Sequence, residues 1–249
     1  MFYLFLINSL ITYINIKDMA TISKATVCEI KEYGKDIKEY ILKLDKNNYF
    51  EPGSFLLLSL EKKDDYTKWP ESRNFSIASV YNKDNKVRLI IRKVGAYTTR
   101  IFNELAIGDS CMVKYAFGDF LLPFYDIKSS ICCIAGGTGI APILSFAEEL
   151  KKIQQEKRLH VYYSFKNSEE NMGINILKEI VPENQLHLYS TREKISGVNC
   201  RRIEKNDILN SGLDFSLSHF YICGSENFTN YFKGVLLEEE ASNIYTDEW

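Results

Sequence analysis

From residue 22 to about residue 117, apolar and polar positions alternate in short runs, the period-two mark of strands with one face on a core. SKATVCEIKEY, KEYILKL, SFLLLSLE, RNFSIASV, KVRLIIRKV and SCMVKYA are the six candidate strands. Turn formers separate them: Gly34-Lys35-Asp36, Asn47-Asn48, Glu51-Pro52-Gly53, the stretch from Asn82 to Asn85, and Gly108-Asp109. A single short helix, around TTRIFNEL, interrupts the series. Six strands at this spacing predict a small closed antiparallel barrel, because closure leaves no open edge.

The rhythm then changes. SSICCIA, LHVYYSF, LHLYST and HFYICGS are continuous apolar runs, and APILSFAEELKKIQQ, ENMGINILKEI, KNDILN and NFTNYFKGVLLEEEA between or after them read as helices. Apolar strands alternating with helices predict a parallel sheet covered on both faces. The fold class is therefore α+β in two domains, a β-barrel over 19–125 and an α/β domain over 126–249. Residues 1–18, MFYLFLINSLITYINIKD, are apolar but short and broken by Asn8, Ser9, Thr12 and Asn15. They read as a leader or upstream segment of uncertain status, and no membrane association is expected from them.

Composition adds exclusions. The net charge is −2, so no bulk field draws the chain to nucleic acid or an anionic membrane. None of the six cysteines stands in a C-x-x-C pair or an iron–sulfur spacing, and the three histidines are scattered. No metal site is expected, and buried reduced thiols fit a cytoplasmic protein. Cys132 and Cys133, adjacent in one strand, should face opposite sides of the sheet.

Two stretches carry candidate chemistry. In GGTGIAP, Gly136, Gly137 and Gly139 let the backbone leave a strand and approach an anion, Thr138 adds a hydroxyl, and Pro142 suits a first helical turn. The helix start that follows offers free N–H groups to a diphosphate. In RNFSIAS, alternation sends Arg73, Phe75 and Ile77 to one face and Asn74, Ser76 and Ala78 to the other. An arginine can pair with phosphate, an aromatic can cover a ring, and a serine can bond a heteroaromatic edge.

RNFSIAS resembles the R-x-[YF]-S flavin motif of the ferredoxin–NADP reductase family, and GGTGIAP resembles its nicotinamide-nucleotide loop. GAYTTRIFNEL is similar to the family's flavin-pyrophosphate segment, GDSCMVKYAFGDFLL to its barrel-closing segment, and YICGS to its Y-x-C-G-P strand end, all in the family's order. Ala116 and Ser225 stand where the family has prolines. The resemblance implies a flavin-dependent NAD(P)H oxidoreductase without an iron–sulfur domain. FAD is the expected flavin, with FMN as the alternative, and NADPH or NADH is the substrate.

By the same resemblance, Arg73, Asn74, Phe75 and Ser76 hold the flavin, with Ile91 and Arg92 beside them. Gly95, Ala96, Tyr97, Thr98 and Thr99 hold its pyrophosphate. Gly136, Gly137, Thr138, Gly139 and Pro142 hold the nucleotide, and Cys223 and Gly224 lie near the nicotinamide. Ser76, Cys223 and Trp249 are the catalytic candidates, with Cys223 as a spacer rather than a nucleophile. Thr191, Arg192 and Arg202 resemble the S-R-E…G-R-[IV] pattern of NADPH-dependent reductases, which favours NADPH. The implied acceptor is a ferredoxin or flavodoxin-type carrier, and a monomer is expected. The alternatives are a free-flavin or ferric reductase, or an electron-transfer subunit of a larger complex. Lys31, Lys35, Lys38, Arg88, Lys93 and Arg100 are cations that could meet an acidic carrier.

Overall fold

The computed structural model of the chain describes residues 20–61, 68–123 and 125–248. Strands β1 (Thr21–Tyr33), β2 (Ile37–Leu44), β3 (Phe55–Ser59), β4 (Arg73–Ser76), β5 (Lys86–Arg92) and β6 (Ser110–Phe117) form one sheet in the order β4-β3-β6-β1-β2-β5. Every pairing is antiparallel. An isolated antiparallel bridge, Ile77 to Leu89, joins the two edges and nearly closes the barrel. Alternate residues point inward, so Leu42, Leu56, Leu89 and Val113 are fully buried. Helix α1 (Ala96–Glu104) caps that core by inserting Ile101, whose burial contributes about 1.5–3 kcal/mol.

The second domain alternates as expected: β7 (Ile131–Gly136), α2 (Ile140–Lys152), β8 (Leu159–Phe165), α3 (Ile174–Ile180), β9 (Leu186–Ser190), α4 (Lys205–Leu209), β10 (His219–Gly224) and α5 (Glu226–Glu238). Its parallel sheet runs β11-β10-β7-β8-β9, with β11 at Asn243–Glu248. Cys133 packs with the α2 and α3 residues on one face, and Cys132 with the α5 residues on the other. The chain moves from β7 to β8 and β9, then returns to β10 on the other side. The strand order therefore reverses between β7 and β10, where open α/β sheets bind ligands at their carboxyl ends.

Two boundaries depart from the sequence reading. The last helix stops at Glu238 rather than running on to Ala241, and β11 follows it. Three successive glutamates at the negative end of a helix dipole oppose continuation, and Glu240 takes a left-handed φ of 58°. Tyr245 then stacks on Tyr221 at 4.6 Å and anchors the added strand. Helix α3 begins at Ile174 rather than Glu170, because Gly173 turns at φ 69° and leaves 168–170 as a separate 3-10 turn.

The domains share one core: Tyr33, Ile37, Ala78 and Ile90 of the barrel cluster with Phe146, Leu144 and Tyr163. Polar contacts fix their register. Ser145 Oγ accepts from Gly53 N at 2.9 Å, and Glu148 accepts from Val80 N at 3.1 Å and Arg88 Nη2 at 2.9 Å. Helix α2, which follows the glycine loop, is thereby pinned to the barrel. Among the described residues no helix is long and apolar enough to cross a membrane.

Candidate functional site

The loop after β7 is built for backbone proximity. Gly137 sits at φ +58°, a region that disfavours side chains. A Cβ on Gly139 would lie 2.3 Å from the Cys223 carbonyl oxygen, so the loop packs backbone to backbone on the end of β10. Gly136 and Gly137 border a cavity of about 310 Å³ with Ser164, Lys166, Glu170, Thr191 and Phe228. The N-terminal end of α2 reaches a second cleft instead, through Ala141. Pro142 does not reach this cavity; it is buried, and its carbonyl accepts Ser145 Oγ at 2.7 Å. Thr138 turns into that second cleft as well.

That cleft, about 430 Å³, lies between β4, β5, α1 and the α/β domain. Arg73, Asn74, Phe75 and Ser76 of β4 form one wall, and Arg92, Gly95, Ala96, Tyr97 and Thr98 the opposite one. The Arg73 guanidinium lies 4.6 Å over the Tyr97 ring and donates to Ser72 O and Glu71 Oε1. Thr98 Oγ1 accepts from Val94 N at 2.9 Å and Gly95 N at 3.1 Å and donates to Gly95 O at 3.1 Å, closing the helix start from the third helical position. Its hydroxyl is thus committed to the fold, and α1 presents an anion chiefly with backbone N–H groups. Nothing lies within 4 Å of where a Gly95 Cβ would be, so the approach to that helix start is open. Thr99 is exposed and lines neither cavity, and the Ile91 side chain is buried in the barrel core.

The two domains meet at the floor of the cleft. Ser76 Oγ donates to Asp247 Oδ2 at 3.1 Å, and Cys223 Sγ stands 3.8 Å from the same oxygen. Burial, followed by the Asp247 charge, holds the Cys223 thiol well above its ordinary value. That shift disfavours the thiolate, and the side chain forms a small polarizable wall of the cleft. Gly224 lies just beyond, where a Cβ would press on the Phe228 ring at 2.8 Å. Asp247 is the residue that the motifs did not single out. Its signal was the β-forming Ile244-Tyr245-Thr246 before it, which sets Asp247 opposite Cys223 in parallel register. Trp249 lies outside the described residues.

At the end of β9, Thr191 lines the smaller cavity and its N–H bonds Phe165 O. Arg192 and Arg202 are exposed and make no ion pair among the described residues. Glu193 accepts from Ser168 N and Oγ, both at 2.7 Å, rather than pairing with Arg192. Arg201 is committed elsewhere, bidentate to Asp207 at 2.6 Å and 5.1 Å over the Tyr189 ring. On the barrel surface, Lys38, Arg88, Lys93 and Arg100 pair with Glu32, Glu148, Asp36 and Glu104. Lys31 lies over the Tyr33 ring.

The barrel and the parallel-sheet domain share a cleft, with the glycine loop at the switch point of the sheet. Residues 133–233 match the oxidoreductase NAD-binding domain family. The chain is 28% identical over 176 residues to the ferredoxin–NAD(P)+ reductase component of the naphthalene 1,2-dioxygenase/salicylate 5-hydroxylase systems of Ralstonia sp., covering 70% of this chain and 48% of that protein. It is 31% identical over 127 residues to terephthalate 1,2-dioxygenase reductase component 1 of Comamonas sp., covering 51% and 35%. The chain thus spans half or less of the length of these curated relatives. A ferredoxin NADP+ reductase from Neisseria gonorrhoeae, solved with FAD and NADP, superposes at TM-score 0.74 with 19% identity, covering 92% of this chain and 98% of that one. The Amycolatopsis cytochrome P450 reductase superposes at 0.77 with 20% identity, covering 92% and 70%. The chain thus carries the oxidoreductase NAD-binding sequence over 133–233 and shares its two-domain fold with these solved reductases.

Proposed function

We propose that the chain is a flavin-dependent NAD(P)H oxidoreductase, with FAD in the barrel cleft and the nicotinamide nucleotide in the adjoining cavity. The observation that carries this reading is the junction at which Ser76 from the barrel and Cys223 and Asp247 from the α/β domain meet. The residues fit both groups: Phe75 and Tyr97 offer ring-sized apolar walls and Gly95 leaves the α1 start open, while Gly137 borders the smaller cavity at a left-handed φ that disfavours a side chain. When bound, the flavin accepts hydride from NAD(P)H and releases electrons to an acceptor.

The protein's part is orientation and electrostatics. Arg73 and the α1 N-terminus supply positive potential for the flavin phosphates. Asp247 fixes the Ser76 hydroxyl and keeps a negative charge beside the reaction zone, while Cys223 keeps space for the nicotinamide ring. Arg192 and Arg202, lacking ion-pair partners among the described residues, suit a 2′-phosphate and favour NADPH. The acceptor is a ferredoxin or flavodoxin-type carrier, and the protein works as a cytoplasmic monomer. The names of the relatives favour a second reading, a reductase component feeding a multicomponent oxygenase.

The substrate preference is tested by steady-state ferricyanide reduction. NADPH is expected to exceed NADH in kcat/KM by at least about tenfold, and Arg192→Ala to cut that ratio by about tenfold through KM. A wild-type ratio near one removes the 2′-phosphate assignment.

A further inference from the structure

Arg92 is the residue shared by both cavities. It leaves the end of β5, crosses the domain boundary and donates Nη2 to Glu170 Oε2 at 2.7 Å, with the two side chains only 14% and 15% exposed. Its Nε is buried without a partner, so the guanidinium fork is only partly used. The same Nη2 stands 3.5 Å from where a Gly137 Cβ would be, which places the cation against the glycine loop. The other Glu170 oxygen accepts Lys166 Nζ at 3.1 Å.

Glu170 is held rigidly. Asn167 Oδ1 accepts from Glu169 N and Glu170 N, and the barrel turn at Gly34 packs against the Glu170 side chain. Burial alone would push its carboxyl up, but the hydrogen bonds and charges of Arg92 and Lys166 outweigh that and hold it below the usual carboxylate range. It therefore carries its charge at neutral pH. Two cations beside a glycine loop suit a diphosphate, yet here a fixed carboxylate occupies them. A carboxylate and a diphosphate are alternative ligands for the same guanidinium fork, and they repel each other.

We propose that Glu170 is an internal competitor for the nucleotide diphosphate: it orders Arg92 and Lys166 and must share them when the nucleotide binds, which lowers affinity and favours release. This rests on the cavity being the NAD(P)H site. Glu170 acts through Arg92 and Lys166, so it is a positioning residue. A purely structural tie predicts the opposite outcome, because breaking it would loosen the cavity and weaken binding.

Isothermal titration of NADP+ and, separately, inorganic pyrophosphate into the full chain distinguishes the two. Glu170→Gln is expected to tighten both about five- to tenfold and to steepen the salt dependence of binding, since one more cation then faces the ligand unneutralised. Glu170→Asp, which keeps the charge, is expected to stay within about twofold of wild type. Should the glutamine variant fail to fold, Glu170→Ala carries the same expectation. Unchanged or weaker binding in the charge-removed variant overturns the proposal while leaving the nucleotide site standing. Wild type that binds neither NADP+ nor NAD+ removes the reading of the cavity itself, and this inference with it.

Discussion

The residue contributed by β11, Asp247, stands at the centre of the proposed reaction zone. Ser76 and Cys223 come from different domains, and Asp247 is the acceptor that faces both. Asp247→Ala is expected to slow hydride transfer by about tenfold or more in single-turnover stopped-flow while leaving flavin content unchanged, because a positioned group is lost but the cleft remains. Flavin lost in proportion to rate would assign Asp247 to cofactor retention instead. Cys223→Ala is expected to keep hydride transfer within about tenfold of wild type, since burial disfavours the thiolate. A variant with no measurable transfer contradicts the spacer role.

At the scale of elements, the glycine loop and the linker before β7 are the exacting parts. Gly139→Ala must displace the end of β10, because the new Cβ has backbone atoms at 2.3 Å and 2.5 Å. It is expected to cost about 2–4 kcal/mol in urea unfolding and to abolish nucleotide binding; a stable, binding-competent variant contradicts the close packing. In the linker, Asp126 accepts hydrogen bonds from Ser129, Lys128 N and His219, and these hold its carboxyl well below the usual range. A depressed carboxyl stabilises the fold above its unfolded pKa, and that contribution fades as pH falls toward the folded value. Asp126→Asn is expected to lower stability by ~1 kcal/mol at pH 7, with the difference shrinking below about pH 4 in urea titrations. A pH-independent difference would assign the loss to packing.

Much of this architecture was legible in the chain. Period-two alternation exposed the barrel strands, and continuous apolar runs such as ICCIA exposed the parallel ones. The motifs supplied both cavity walls. What escaped was nonlocal. β11 is a six-residue edge strand anchored by a nonlocal contact, Tyr245 stacking on Tyr221. Asp247 became visible only through strand register. The Thr98 hydroxyl looked available for phosphate, but helix capping consumes it. Pro142 fits its helix turn as the sequence suggests, yet it is buried and lines neither cavity, a direction that spacing alone does not give.

For the molecule as a whole, the proposed function places the reaction at the interface between the domains. Helix α2 is pinned to the barrel through Ser145 and Glu148, Arg92 reaches Glu170, and Ser76 reaches Asp247. These ties hold the two cavities side by side, which is the condition that the proposed hydride transfer between bound rings requires. The most direct test is the absorbance spectrum of the purified chain, reconstituted with FAD, before and after anaerobic NADPH. The account predicts flavin absorption bands that bleach within the mixing experiment and return on adding ferricyanide. A protein that takes up no flavin, or a bound flavin that neither NADPH nor NADH bleaches, would contradict it.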